Sequence, residues 1–492
     1  MKILMVYCNS TLENALPINI SQLVPCLKNA GFGVALFDTT FYKWGLSSSQ
    51  ENRINSLQIR PFPLDQFNKG DVFQDFIKKI NDFKPDLIGL SLIEPTFLFS
   101  MKLLRAASEI IRLNKIKVAV GGVHAIIAPH TILKYDMVDY ICISEGEKAF
   151  IELCRRLEKG EDVSDLKGFW IRNGGNWIKN PKAELVDINT LPALDFSLFS
   201  EKFLVKPIAG EMHNTITIET TRGCPYRCTY CSEPVLRNIF KDNGGWYREK
   251  SLDKVFKDLS QLVKDYNAEY LYIISDSFTT GRKERLREFC RRYKSYNLPF
   301  WFNTRPEDIN EENAGLVKEA GCHRISIGLE HGNEEFRKTA LKRYGSNERI
   351  AKAGDILHDH KLSFSVNIII GYPGETREMV FDTIEMAKRL RPDGVSTCIF
   401  NPYHGTELRE VSIKKGYISE DLISEDFFQT EYLLKNNTLS KDEVVGLLRT
   451  IPLYVEFPKA EYKRIEAAER FDDEGNKAFE ELKKEFYQLK GW

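Results

Sequence analysis

Three cysteines within one short loop carry the strongest chemical signal in the chain. They are Cys224, Cys228 and Cys231, in the run Thr220-Thr221-Arg222-Gly223-Cys224-Pro225-Tyr226-Arg227-Cys228-Thr229-Tyr230-Cys231. Spacings of three and two residues place three thiolates directly after an expected strand. Three thiolates around a small loop can hold three irons of a cubane cluster and leave the fourth iron open to another ligand. A structural zinc would want a fourth protein ligand at the usual spacing, and no His or Cys follows closely. A structural zinc site and three buried thiols without metal remain the alternatives. Ten cysteines in 492 residues, the rest of them scattered singly, make no disulfide framework.

Other chemistry-bearing segments also follow expected strands. They are Asp38-Thr39, Ser91-Leu92-Ile93-Glu94, Gly121-Gly122-Val123-His124, Ser144-Glu145-Gly146-Glu147, Ser275-Asp276-Ser277, Arg305, Ser326-Ile327-Gly328-Leu329-Glu330-His331-Gly332 and Gly371-Tyr372-Pro373-Gly374-Glu375-Thr376. Ligands of parallel sheets bind beyond the carboxyl ends of the strands, so these positions are informative. Gly31-Phe32-Gly33 precedes a strand instead of joining strand to helix, so it is no dinucleotide fingerprint. His323, His331, His358 and His360 lack metal spacing as a set and read as ordinary residues.

The elements that must position these residues form two α/β series. In the first 150 residues, short apolar runs (Ile3–Tyr7, Val34–Phe37, Leu87–Ser91, Val118–Val120, Tyr140–Ile143) alternate with helical segments such as Ile20–Asn29 and Phe97–Leu113. Strands apolar on both faces imply a doubly wound parallel sheet covered on both sides. Gly174-Gly175 reads as a turn between two short extended pieces, inside an irregular connector marked by Pro181, Pro192 and Pro207. A second series starts near Thr215, with strands Thr215–Glu219, Tyr270–Ile274, Phe300–Phe302, Arg324–Gly328, Ser363–Ile370 and Gly394–Phe400. Six parallel strands suggest a partial (β/α)6 barrel. Charged helical segments follow, and the apolar Ile451–Pro458 is expected to pack against the barrel. The expected units are 1–165, a linker 166–210, a barrel 211–410 and a helical region 411–492. Lys plus Arg number 69 against 70 acids, which argues against a polyanion-binding protein, so no nucleic-acid partner is expected. No apolar run is long enough for a membrane span, and the chain reads as cytoplasmic.

Cys-x3-Cys-x2-Cys with an aromatic residue before the last cysteine resembles the radical S-adenosylmethionine (SAM) superfamily, and the α/β domain before it resembles that of the cobalamin (B12)-dependent group. The resemblance implies that Cys224, Cys228 and Cys231 bind a [4Fe–4S] cluster and that SAM chelates the open iron through its amino and carboxylate groups. Tyr230 would lie near the adenine, and Glu330 would reach SAM's polar groups. Gly371 and Pro373 would pack backbone on the adenosine, and Arg305 would meet the carboxylate. Ser275 and Asp276 stand where many relatives carry two adjacent acids, a departure from the pattern. Cobalamin would lie on Thr39, Ser91, Leu92, Glu94, Gly121, Gly122, Val123, His124 and Gly146. The chain lacks the Asp-x-His-x-x-Gly loop of many cobalamin carriers, so cobalamin without a protein histidine below cobalt is expected, and His124 and His130 read as polar contacts or surface residues. The implied activity is a radical methyl transfer to an unactivated carbon of a small-molecule or peptidyl substrate, with a flavodoxin- or ferredoxin-type electron donor. A cyclase or rearranging enzyme with the same cofactors, or a sensor without turnover, are the other readings.

Overall fold

The computed structural model describes the chain apart from residues 14–16, 45–47, 63–66, 69, 209 and 426–430 and the side chain of Ser49. In the first sheet, β1 (Lys2–Tyr7), β2 (Gly33–Asp38), β3 (Leu87–Ser91), β4 (Lys117–Gly121) and β5 (Tyr140–Cys142) are parallel, in the order β2-β1-β3-β4-β5. Ile3, Leu4, Met5 and Val6 are all buried, because helices lie on both faces; this is why the run shows no alternation. The order reverses between β1 and β3, which opens a crevice beyond their carboxyl ends. The expected helix Phe97–Leu113 is two helices, Glu94–Ala106 and Ser108–Leu113.

The hairpin β6 (Phe169–Asn173) and β7 (Asn176–Lys179) turns at Gly174-Gly175 and joins the same sheet through β5, Trp170 opposite Ile141 and Ile171 opposite Tyr140. The sheet therefore runs past residue 165 to Lys179, since β5 offers an unpaired edge that the hairpin covers.

The second sheet holds β8 (Val205–Ile208) and β9 (Glu211–Glu219), then β12 (Tyr270–Ile274), β13 (Phe300–Thr304), β14 (Cys322–Glu330), β15 (Ser363–Ile370) and β16 (Gly394–Ile399). A small ribbon of β10 (Thr221–Arg222) and β11 (Arg248–Glu249) stands at the end of β9. β9 and β12–β16 are parallel, and β8 caps the β9 edge in antiparallel fashion. Burial alternates strictly along β15 and β16: Val366, Ile368, Ile370, Val395 and Ile399 are buried, while Asn367, Ser396 and Cys398 keep partial exposure. One face thus packs on helices and the other lines an open half-barrel.

The helix Lys441–Glu456 starts on a Ser440/Glu443 capping box, runs through Pro452 and buries Ile451–Val455, as expected for a packing segment. Among the described residues no helix is long and apolar enough to cross a membrane.

Candidate active site

The cysteine loop hangs between β10 and the helix Glu233–Ile239. Gly223 enters it with φ +87°, and a Cβ there would stand 2.7 Å from Trp246, so only glycine fits the turn. The Cys231 N–H donates to the Cys228 carbonyl (3.2 Å), and the Glu233 N–H donates to Cys231 Sγ (3.5 Å). Burial pushes the Cys224 thiol up to about 12 and raises Cys231 as well, so a cation must arrive for both to become thiolates. Thiolates about 2.3 Å from one zinc would lie ~3.8 Å apart. Among the described residues, the only trio of His, Cys, Asp or Glu whose ligand atoms fall within 4.8 Å of one another is a different one, so these sulfurs are spread too widely for zinc.

Two carboxyls flank the loop. Burial and Asp276 push Glu233 up to about 7, and its Oε2 accepts from Trp246 Nε1 at 2.7 Å. Asp276 is raised to about 6 by burial and by Glu219; it is solvent-accessible yet ringed by protein, as a group facing a cavity is. Its neighbour Ser275 is buried and bonds Thr221 Oγ1 at 2.7 Å. Crowded carboxyls of this kind favour a cationic ligand.

Across the cavity, Glu330 closes β14 with φ +64°, a strained conformation for a non-glycine residue, beside a bulge in the β14–β15 register. Burial raises its carboxyl although Arg343 stands 3.8 Å away. Arg343 donates to the Gly328 carbonyl (2.5 Å) and reaches the Tyr230 hydroxyl (3.4 Å). Arg305 is buried, paired with Glu307 at 3.1 Å, and its guanidinium lies 3.7 Å over the Tyr226 ring. The Tyr230 ring sits 5.9 Å from that of Tyr372, whose hydroxyl is buried without a hydrogen-bond partner among the described residues.

The turn that carries Gly371 and Pro373 is held from behind. Glu375 accepts from the Gly371 and Tyr372 N–H groups and from His331 Nε2 (3.0 Å), which makes His331 a structural partner. Asn437, from the C-terminal region, accepts from the Gly374 N–H and donates to the Tyr372 carbonyl, both at 2.9 Å. Sequence reasoning missed Arg343, Glu233 and Asn437. Arg343 meets Tyr230 113 residues away and Asn437 meets Gly374 and Tyr372 63 and 65 residues away, and Glu233 had only its place two residues after Cys231 to mark it.

On the first sheet, Ser91, Leu92, Gly121 and Gly122 come together: the Leu92 N–H donates to the Gly121 carbonyl (2.7 Å), and Ser91 Oγ accepts from Asn19 (2.6 Å). Gly122 has φ +92°, and a Cβ would stand 2.6 Å from the Leu92 carbonyl; the close approach it permits is to the chain's own backbone. Val123 is exposed beside it. Thr39 is buried with its hydroxyl on the Asn9 backbone, and Gly146 packs against Leu23 on the far helix. His124 is buried, 4.5 Å centroid to centroid from Phe97, with Nε2 at 2.9 Å from Thr131. Burial pushes it down to about 4, so it is neutral near pH 7.

Glu94, His124 and His404 are the trio noted above. They resemble a metal site in spacing only. Arg409 Nη2 lies 3.2 Å from His404 Nε2, His404 Nδ1 lies 2.9 Å from Glu94 Oε1, and Arg409 stands 3.8 Å from the Glu94 carboxylate. A cation would meet the guanidinium. Glu94 also accepts from the His404 and Ser424 N–H groups (2.9 and 3.2 Å), so its carboxylate is engaged across the junction.

A second junction lies beside the cysteine loop. Arg222 meets Glu145 and Glu147 at 2.8 Å and Glu219 at 3.1 Å, and Arg248 grips Glu145 at 2.5 Å. Burial alone would raise Glu145, but the guanidiniums hold it below the usual carboxylate range. Lys250 joins Glu219 at 3.3 Å, so three cations face three carboxylates.

Residues 218–387 match the model of the Radical SAM superfamily, and residues 10–154 that of the B12 binding domain. The chain belongs to the cobalamin-dependent radical SAM family. It is similar to an uncharacterised methyltransferase of Pyrococcus horikoshii (26% identical, 70% of this chain, 73% of that one). It also resembles an anaerobic magnesium-protoporphyrin IX monomethyl ester cyclase of Rubrivivax gelatinosus (25%, 69% of this chain, spanning 60% of that one). The fold matches that of the radical SAM methyltransferase TsrM from Kitasatospora setae, with TM-score 0.65 at 16% identity over 99% of both chains. It matches the cobalamin-dependent enzyme OxsB equally, with TM-score 0.65 at 16% identity over 99% of this chain and 71% of that one. The family's cofactors are a [4Fe–4S] cluster, SAM and cobalamin, and the widely spread cysteines, the acidic cavity with Tyr230 and Glu330, and the β1–β3 crevice fit them.

Proposed function

We propose that this radical SAM enzyme transfers a methyl group to an unactivated carbon. One observation carries the reading. Glu145 follows β5 and Arg222 follows β9, while Glu94 follows β3 and His404 follows β16, so the two junctions hold the carboxyl ends of both sheets face to face. Whatever occupies one crevice is presented to the other, as transfer between two cofactor-bearing halves requires. The methyltransferase among the relatives supports the same reading.

When bound, the cluster with SAM supplies a 5′-deoxyadenosyl radical and methylcobalamin supplies the methyl group. The chain's own residues do the rest. Cys224, Cys228 and Cys231 hold the cluster, and Asp276 and Glu330 attract the cationic end of SAM. Arg305 and Arg343 face its carboxylate, and Tyr230 flanks the adenine. Tyr372 and the Gly371–Gly374 turn close the cavity against water, which would otherwise quench a radical.

Counting SAM tests the proposal. With substrate, S-adenosylhomocysteine and 5′-deoxyadenosine should appear in equal amounts, coupled to product. Product formation without S-adenosylhomocysteine would sink methyl transfer and favour the ring-forming chemistry of the cyclase relative, leaving the cluster assignment untouched.

A further inference from the structure

Arg305 follows β13 almost wholly buried, 8% exposed, yet part of its guanidinium is left unpaired. Nε and Nη2 both donate to Glu307, at 3.3 and 3.1 Å, while Nη1 has no hydrogen-bond partner among the described residues. Glu307 also stands 3.6 Å from Arg343, so one carboxylate steadies both arginines proposed for SAM. A carboxylate at one edge acts as a hinge and leaves the guanidinium plane free to swing. The Tyr226 ring removes that freedom. Its centroid lies 3.7 Å from the guanidinium carbon, the close face contact that a flat cation makes with an aromatic ring.

Tyr226 is itself held. Its hydroxyl lies 2.7 and 2.8 Å from the two Asp308 oxygens and donates its one proton there. Asp308 also accepts from Ser277 (3.0 Å) and Thr280, and its N–H donates to the Arg305 carbonyl at 3.0 Å. The loop after Asp276, the turn that begins at Arg305 and the cysteine loop therefore meet on one carboxylate. Pro225 and Arg227, on either side of Tyr226, are exposed, so the tyrosine ring is the part of this stretch that turns inward. It stands between Cys224 and Cys228 and moves with the loop that carries them.

We propose that Tyr226, clamped by Asp308, is a positioning residue that sets Arg305 for the carboxylate of SAM. Recognition of that carboxylate then depends on the order of the cysteine loop, because the ring beneath the guanidinium belongs to the loop. This rests on the reading that Arg305 faces SAM's carboxylate. A guanidinium already fixed in its plane loses less freedom on binding, and the ring supplies that preorganisation. A ring that only braced the cysteine loop would be needed for iron and not for the carboxylate.

The test uses the protein reconstituted with cluster and cobalamin, without reductant, so that binding is read apart from turnover. Equilibrium dialysis gives the affinity per loaded cluster for two probes, SAM and decarboxylated SAM. Arg305→Met and Tyr226→Leu should each weaken SAM about tenfold, the order of one charge-assisted hydrogen bond. Both should leave decarboxylated SAM within about twofold, since it has no carboxylate to lose. In the Arg305→Met background, Tyr226→Leu should add less than about twofold, because the ring acts through the guanidinium. Tyr226→Phe and Asp308→Ala keep the ring but lose its anchor, and each should weaken SAM by about threefold. These two decide the matter if Tyr226→Leu takes up no iron. With reductant added, KM for SAM should rise more than kcat falls. Equal weakening of both probes by Tyr226→Leu, full additivity with Arg305→Met, or unchanged SAM affinity per loaded cluster overturns the inference. Unchanged SAM affinity in Arg305→Met instead marks failure of the underlying reading, and the inference falls with it.

Discussion

Arg222 reaches 2.8 Å across to Glu145, and it does so from a position two residues before Cys224. The cluster loop and the first sheet are thereby tied through one buried guanidinium. Arg222→Ala would strand three buried carboxylates with two cations, at a cost of about 3–5 kcal/mol. Arg222→Lys, with one point charge in place of a fork, should recover only part. Thermal or denaturant unfolding of the apo-protein measures both.

Replacing Cys224, Cys228 or Cys231 with Ala should abolish the iron–sulfur absorption and all SAM cleavage. The Ala variants of Cys8, Cys26, Cys154 and Cys290 should keep both, because these thiols are buried in apolar cores away from the loop. A full iron complement in Cys228→Ala would overturn the assignment.

Gly122→Val meets two obstacles, a φ of +92° and a Cβ 2.6 Å from the Leu92 carbonyl. The turn must open, so cobalamin retained per chain should fall while iron content stays near the wild-type value. Absorbance and iron assay on the same sample decide it.

His124 gives a pH signature. Its folded value, pushed down to about 4 by burial, lies below the ordinary 6.5, so the unfolded chain binds the proton first. Stability is full above pH ~6.5 and falls as pH drops toward 4, by on the order of 3 kcal/mol. His124→Gln should flatten that part of the profile, measured by unfolding at constant ionic strength. With its ring pinned between Phe97 and Thr131, the cob(II)alamin EPR spectrum should also show no nitrogen splitting.

Much of this architecture was legible in the residues. Both β/α series, the Gly174-Gly175 hairpin turn and the cysteine loop are written in local patterns: continuous apolar runs, turn residues, fixed cysteine spacing. The junctions were not. Glu94 read as a crevice residue because it follows a strand, yet its carboxylate is satisfied by His404 and Ser424, more than 300 residues on. Gln58 sits in a stretch without periodicity, and only the edge of β16, where it donates to the Thr397 carbonyl and accepts from Ser396 Oγ, gives it meaning. Arg343 gains its place from the Gly328 carbonyl, Glu330 and the Tyr230 hydroxyl, a set that no spacing in the sequence announces. Local physics fixes elements, while long-range charge pairing decides how the elements meet.

The crossing of Gln58 to Ser396 has a consequence for how the chain is made. The two residues are 338 positions apart, so at about 5–20 residues per second the ribosome needs roughly 17 to 70 s between them. During that interval Gln58 lacks its strand and Glu94 lacks Arg409, while Glu145 waits only until Arg222 and Arg248 are made. The nascent domain is a provisional structure, completed only when the last barrel strand leaves the exit tunnel.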